Sequence, residues 1–203
     1  MPLIWLTSDC HFGHDKSFIF DDREFDSVEE MNETIVERWN SKVQEDDDVY
    51  VLGDFMMGEQ SNIKYIQRLR GRIHLIRGNH DTDARMKLYA QQPNIVELCD
   101  AKYLKYKKYN FFLSHFPCVT DNGPTKEHLR ENTLNLFGHT HQFENFYDMM
   151  PGFENFNPLM YHVGVDSHNC YPILLDDIIE EMKEELHRYI EWKKAENPTY
   201  PFI

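Results

Sequence analysis

The chain has 203 residues, 41% of them hydrophobic, which suits one domain with a sizeable core. Its 35 acidic and 21 basic residues leave a net charge of −14, a poor footprint for general binding to DNA, RNA or an anionic membrane. Lys102, Lys105, Lys107 and Lys108 form a small basic run whose spacing suits a solvated strand and turn.

No stretch approaches the roughly 20 apolar residues of a membrane span, and the apolar start from Leu3 to Leu6 is too short for a signal core. Cys10, Cys99, Cys118 and Cys170 are too widely spaced for a disulfide framework or a zinc knuckle. They read as reduced thiols, and the expected location is the cytoplasm.

The first predicted element is a strand from Leu3 to Ser8 that runs into Asp9 and His11. Ser27 and Glu30 make a capping box for a helix reaching Trp39. A strand from Val49 to Leu52 then runs into Gly53 and Asp54. A second helix is expected from Ser61 to near Leu69, with Gly71 as its stop signal. The strand Ile73 to Ile76 leads to Gly78-Asn79-His80-Asp81, and a third helix spans about Asp83 to Ala90. From Ile95 to Ser114 the pattern is one of antiparallel strands with tight turns, ending at His115. The strand Leu134 to Phe137 precedes Gly138 and His139. Residues 142–160, with Phe-Glu-Asn-Phe at 143–146 and again at 153–156, form a long excursion, serving as a lid or as packing. A strand from Tyr161 to Val165 follows, with His168 and Asn169 just beyond it. A last helix, about 176–195, gathers Ile178, Ile179, Met182, Leu186, Tyr189 and Ile190 on one face. This order predicts an α/β fold, a mixed sheet or two packed sheets flanked by helices, as a single domain over 1–203.

The residues that carry chemistry stand at the carboxyl ends of the predicted strands, where sites gather in open α/β sheets. Asp9 and His11 are two apart, as are His139 and His141, so each pair should project to one side of an extended segment. Cys10, between the first two, should point away. Two carboxylates, one amide oxygen and four imidazoles (Asp9, His11, Asp54, Asn79, His115, His139, His141) suit a pair of neighbouring divalent cations if one carboxylate bridges them. A mixed nitrogen and oxygen set favours manganese, iron, zinc or nickel over magnesium or calcium, with manganese the first choice. His14, three residues after His11, either reaches a substrate or, as is commoner for a single histidine in a glycine-containing loop, is merely solvated or hydrogen-bonded.

Asp9-Cys10-His11, Gly53-Asp54, Gly78-Asn79-His80-Asp81, His115 and Gly138-His139-Thr140-His141 together resemble the motif set of the calcineurin-like metallophosphoesterases, over about two-thirds of the chain. The opening Thr-Ser-Asp-Cys-His-Phe-Gly-His looks like small bacterial and phage members. The resemblance implies a four-layer sandwich of two mixed β-sheets flanked by helices. It assigns Asp9, His11 and His141 to one metal, Asn79, His115 and His139 to a second, and Asp54 to the bridge. It further implies phosphate-ester hydrolysis by a water or hydroxide between the metals, phosphodiesters being favoured over monoesters. His80 would steady phosphoryl oxygens or protonate the leaving group, with Asp81 orienting its ring. The expected substrate is a small phosphorylated molecule such as a nucleotide. A noncatalytic scaffold is the alternative, and His80 argues against it; a nuclease acting on short or single-stranded ends is the other. The oligomeric state is not legible.

Overall fold

Mostly apolar runs can bury side chains on both faces of a strand, and that demand organises this computed structural model. Residues 2–120, 126, 128–146 and 157–196 are described. One sheet has the order β4-β3-β2-β1-β9: β1 (Ile4–Thr7), β2 (Asp48–Val51), β3 (Arg72–Ile76) and β4 (Ile95–Cys99) run parallel, and β9 (Ile173–Leu174) pairs antiparallel with β1. The other has the order β5-β6-β7-β8: β5 (Ala101–Tyr106) and β6 (Tyr109–Ser114) form an antiparallel hairpin, and β7 (Thr133–Phe137) and β8 (Met160–His162) continue parallel to β6. The chain is therefore α/β, with two mixed sheets flanked by helices.

Alternation along the first sheet feeds two cores. Trp5, Val49, Val51, Ile73 and Leu75 join Met31, Ile35 and Trp39 of helix α2 (Val28–Lys42), and the short α3 (Ile63–Ile66) adds Tyr65 and Ile66. Their neighbours Leu6, Tyr50, Leu52 and Ile76 face Phe111, Leu113, Leu134 and Leu136 of the second sheet. The long helix α5 (Leu175–Glu196) inserts Ile178, Ile179, Met182, Leu186 and Ile190 into that second core. Helix α4 (Asp83–Tyr89) adds Tyr89 to the first core.

The Ser27 cap is formed, with Glu30 N–H donating to Ser27 Oγ at 3.2 Å and Glu30 Oε2 accepting from Asp26 N–H at 2.9 Å. The helix expected over 61–69 is shorter: a 3₁₀ turn at Gln60–Asn62 precedes α3. Asn62 Nδ2 donates to Met57 O at 3.0 Å, a local side-chain bond that competes with an earlier helical start. One helical turn, α1 (Ser17–Phe20), was not expected. The strands between Ile95 and Ser114 are divided: β4 closes the first sheet in parallel, and at Asp100 the chain crosses to the second. In the basic run, Lys102 pairs with Glu97 and Lys107 with Asp176, each at 2.6 Å. Of the excursion at 142–160, residues 147–156 lie outside the described residues. Among the described residues no helix is long and apolar enough to cross a membrane.

Ile178 is fully buried where α5 meets both sheets. Ile178→Ala should lower unfolding free energy by about 2–5 kcal/mol, read from urea denaturation. A loss below about 1 kcal/mol would mean that this helix contributes little to the core.

Candidate metal centre

The loops after five strands carry all seven proposed ligands to one place. They do so with backbone that L-residues seldom adopt. Asp9 (φ 57°), His11 (49°), Asp54 (51°), His139 (71°) and His141 (50°) are all left-handed. Such a conformation costs a non-glycine residue about 1–2 kcal/mol. The extended geometry expected for Asp9/His11 and His139/His141 is thus replaced by alternating left-handed residues, which curl each loop inward. Backbone bonds hold the curl: Asp9 N–H donates to Gly53 O at 3.1 Å and His11 N–H to Asp54 O at 3.0 Å. Cys10 points away, buried in the first core. A Cβ at Gly138 would overlap Ser8 Oγ and Asp9 Oδ2, so only glycine lets these two loops meet.

Asp54 Oδ2 is the focus of the side chains, 3.6 Å from His11 Nε2, 3.5 Å from His115 Nε2 and 3.9 Å from His80 Nε2. His115 Nδ1 lies 2.8 Å from Leu52 O, so that nitrogen carries the ring proton of a neutral His115. Its Nε2 then presents a lone pair to Asn79 Oδ1, another acceptor, at 2.7 Å. His141 is fixed likewise: Nδ1 meets Asp166 Oδ2 at 3.0 Å, leaving Nε2 to face His11 Nε2 at 3.2 Å. Asp9 Oδ1 and His11 Nδ1 are buried with no hydrogen-bond partner among the described residues. His139 donates its backbone N–H to Asp9 Oδ2 at 2.9 Å and sets its ring edge-on to His115.

Acceptors crowded together with few donors are what bound cations relieve. In Asp9/His11/His141, and again in Asp9/Asp54/His115, one ligand atom from each residue lies within 4.8 Å of the others. The donor set therefore fits divalent metal. Burial pushes the Asp9 carboxyl up to about 6. Burial first, then the His141 charge, holds His11 well below the ordinary imidazole range, and burial followed by His115 lowers His139.

His80 stands at the mouth, its side chain 46% exposed, with its backbone N–H donating to Asp54 Oδ1 at 2.8 Å. Asp81 does not orient it. That expectation is corrected by the carboxylate's partners: Asp81 Oδ2 accepts from Asp54 N–H (2.8 Å) and Gly78 N–H (2.9 Å), and Oδ1 from Tyr89 Oη–H (3.1 Å). Asp81 is buried and serves as a clamp tying the Asp54 loop to the Asn79 loop. His14 meets His11 edge-on at 5.4 Å. His168 bonds His162 O and stacks on Tyr161, and Asn169 accepts from Arg38, so neither is at the centre.

Two residues passed over in the sequence adjoin the ligands. Asp166 touches His141 and is paired with Arg23 at 2.7 Å, while Arg23 Nη2 donates to Asp9 O at 2.8 Å. Burial alone would raise the Asp166 carboxyl, but the His141 hydrogen bond and the Arg23 charge outweigh it and hold it well below the carboxylate range. A carboxylate just past a strand was the available signal for Asp166; Arg23 gave none.

Residues 3–158 match the family model of the calcineurin-like phosphoesterase superfamily domain. The chain is 33% identical over 186 residues to an uncharacterised protein of Methanocaldococcus jannaschii, covering 89% of this chain and 91% of that one. It is 30% identical over 213 residues to the gene 66 protein of a Mycobacterium phage, covering 92% and 98%. A solved structure of a protein of unknown function from Aquifex aeolicus shares the fold with a TM-score of 0.64 at 21% identity, covering 89% and 99% of the two chains.

Asp54→Asn would place an amide donor where His115 directs the Nε2 lone pair left by its Nδ1–H bond to Leu52 O. The melting temperature of the metal-free variant should rise above that of the parent while tight binding of both ions is lost, as read by calorimetry and metal titration. A lower melting temperature, or two ions retained, would contradict the crowding of acceptors at this position.

Proposed function

The chain belongs to the calcineurin-like phosphoesterase superfamily, and from that premise we propose that it hydrolyses phosphate esters at the Asp54-centred site, phosphodiesters ahead of monoesters. The observation that carries this reading is Asn79 Oδ1 facing the Nε2 lone pair of His115 at 2.7 Å, with Asp54 Oδ2 within 3.9 Å of three imidazole nitrogens. Asp9, His11 and His141 would hold one divalent ion, Asn79, His115 and His139 the other, and Asp54 both. Manganese is the first choice, with iron, zinc and nickel as alternatives. Bound there, the ions would acidify water and neutralise phosphoryl charge.

The chain's own residues supply the rest. His80 has its backbone held by Asp54 and by Arg85, which bonds its carbonyl, while its ring reaches open space. From there the imidazole can steady a phosphoryl oxygen or deliver a proton to the departing alkoxide. Exposed aromatic rings flank the centre. Phe116 (49% exposed) packs 4.6 Å from His139, and Phe18 (61% exposed) lies 5.6 Å from His14, itself beside His11. One wall therefore adjoins each proposed ion position, which suits a phosphorus atom carrying a substituent on either side. Planar rings also suit stacking on a base, so a small nucleotide is the favoured substrate class. The net charge of −14 speaks against long polyanions as substrates. All four cysteines are free, which supports a reducing, cytoplasmic setting.

With manganese and aryl phosphodiester or monoester substrates, the parent chain should turn over the diester faster. Absence of metal-dependent turnover on either, with metal bound, would remove the assignment. His80→Ala should keep both ions yet lose roughly a hundredfold in kcat, the usual scale for an acid–base group. Unchanged kcat would take His80 out of the chemistry. Phe116→Ala should raise KM for a nucleoside phosphodiester about tenfold, as loss of one base–aromatic stack would, with little change for a dialkyl ester. Equal effects on the two substrates would argue against stacking.

A further inference from the structure

The proposed ligand His141 has a partner on its far side that no metal-binding motif supplies. Asp166, four residues beyond β8, directs Oδ2 at His141 Nδ1 (3.0 Å). It meets Arg23 side-on, Oδ1 with Nε at 2.7 Å and Oδ2 with Nη2 at 3.2 Å. Arg23 then reaches the opposite loop, donating through Nη2 to Asp9 O at 2.8 Å and through Nη1 to Cys10 O at 3.4 Å. The two side chains are only 3% and 6% exposed. Residues 9, 23, 141 and 166 are thus joined by one fork of hydrogen bonds that leads from one ligand to another.

We infer that Asp166 and Arg23 are positioning residues for the ion bound by Asp9, His11 and His141, with Asp166 selecting the His141 tautomer and Arg23 fixing the loop that presents Asp9. The inference rests on the metal-centre reading above. Its physical basis is that an imidazole binds metal through a lone pair, and the other nitrogen's hydrogen bond decides which nitrogen keeps that pair. With Asp166 accepting from Nδ1–H, Nε2 is the free donor, and Nε2 is the atom that faces His11. Arg23 balances the Asp166 charge, so the carboxylate can hold His141 without adding net negative charge beside Asp9 and Asp54. A simple staple between loops would be satisfied by the ion pair alone. Here the third member is a proposed ligand, and the fourth contact is the backbone of another.

The test uses the full chain in two forms. In the metal-free protein with 15N-labelled histidine, two-bond 1H–15N spectra should show His141 in the Nδ1–H form, and Asp166→Ala should shift it toward the Nε2–H form. In manganese titrations followed by electron paramagnetic resonance, Asp166→Ala should weaken one ion roughly 10- to 100-fold, the usual effect of losing such an outer partner, and leave the other near its parent affinity. Asp166→Asn keeps an accepting oxygen without the charge, so it should retain the parent tautomer and recover part of the lost affinity. It also serves as the readout if Asp166→Ala fails to fold: an ion affinity lowered severalfold then supports the inference, and parent-like affinities for both ions overturn it. Arg23→Gln should weaken the same ion, and its effect should not add to that of Asp166→Ala. A folded Asp166→Ala protein with the parent tautomer and both parent affinities overturns the inference. If the parent chain binds no ion while the His141 tautomer still follows residue 166, the metal reading fails and the tautomer-selecting role stands.

Discussion

Too many lone pairs share one buried space, and most of the local architecture is an answer to that. Beside Asn79 Oδ1 and near Asp54 Oδ2, the Nε2 of His115 offers an acceptor to acceptors. In water each buried polar atom would find a partner; here Asp9 Oδ1 and His11 Nδ1 have none among the described residues. A fold optimised only for its own stability would have no reason to keep this arrangement. The left-handed backbone at five of the seven proposed ligands is a second cost at the same place. Strain and unmet polarity coinciding with one constellation tie the backbone to the chemistry more firmly than a motif does.

What offsets these costs lies one layer out. Asp81 gathers backbone N–H groups from Gly78 and Asp54 and so fixes the distance between two ligand loops. Leu52 O sets the His115 ring, and Ser8 Oγ donates to the same carbonyl at 2.8 Å. Beneath them, alternate residues of β1, β2 and β3 are anchored in two separate cores, leaving the strand ends little freedom. The rigid scaffold carries the irregular loops, an arrangement that positions a site without requiring the site itself to be comfortable.

Much of this was legible in the residues. Apolar runs ending at Asp9, Asp54, Asn79, His115 and His139 marked both the strands and the loops after them, because a strand buried on both faces has a short, distinctive signature. Asp81 misled for a specific reason. The resemblance implied that Asp81 orients the His80 ring, whereas the turn directs the carboxylate back toward the loop amides. The left-handed residues could not be read either, since Asp and His give weak local signals for that region and tertiary bonds impose it. Arg23 and Asp166 lie 143 positions apart, and nothing local in either segment announces the other. The division of strands between two sheets at Asp100 was likewise hidden, because periodicity reports burial and says nothing of partners.

The distance along the chain between the residues that meet at the centre has a kinetic corollary. His139 and Asp9 are 130 positions apart, and His11 and His141 the same. Their encounter requires the parallel pairings of both sheets, the slow class of contact in folding. A nascent chain therefore offers an ion no complete cage until position 141 of 203 has been made and the strands before it have paired. Metal would act late, as a lock on a finished structure, and would slow its unraveling without hastening its formation.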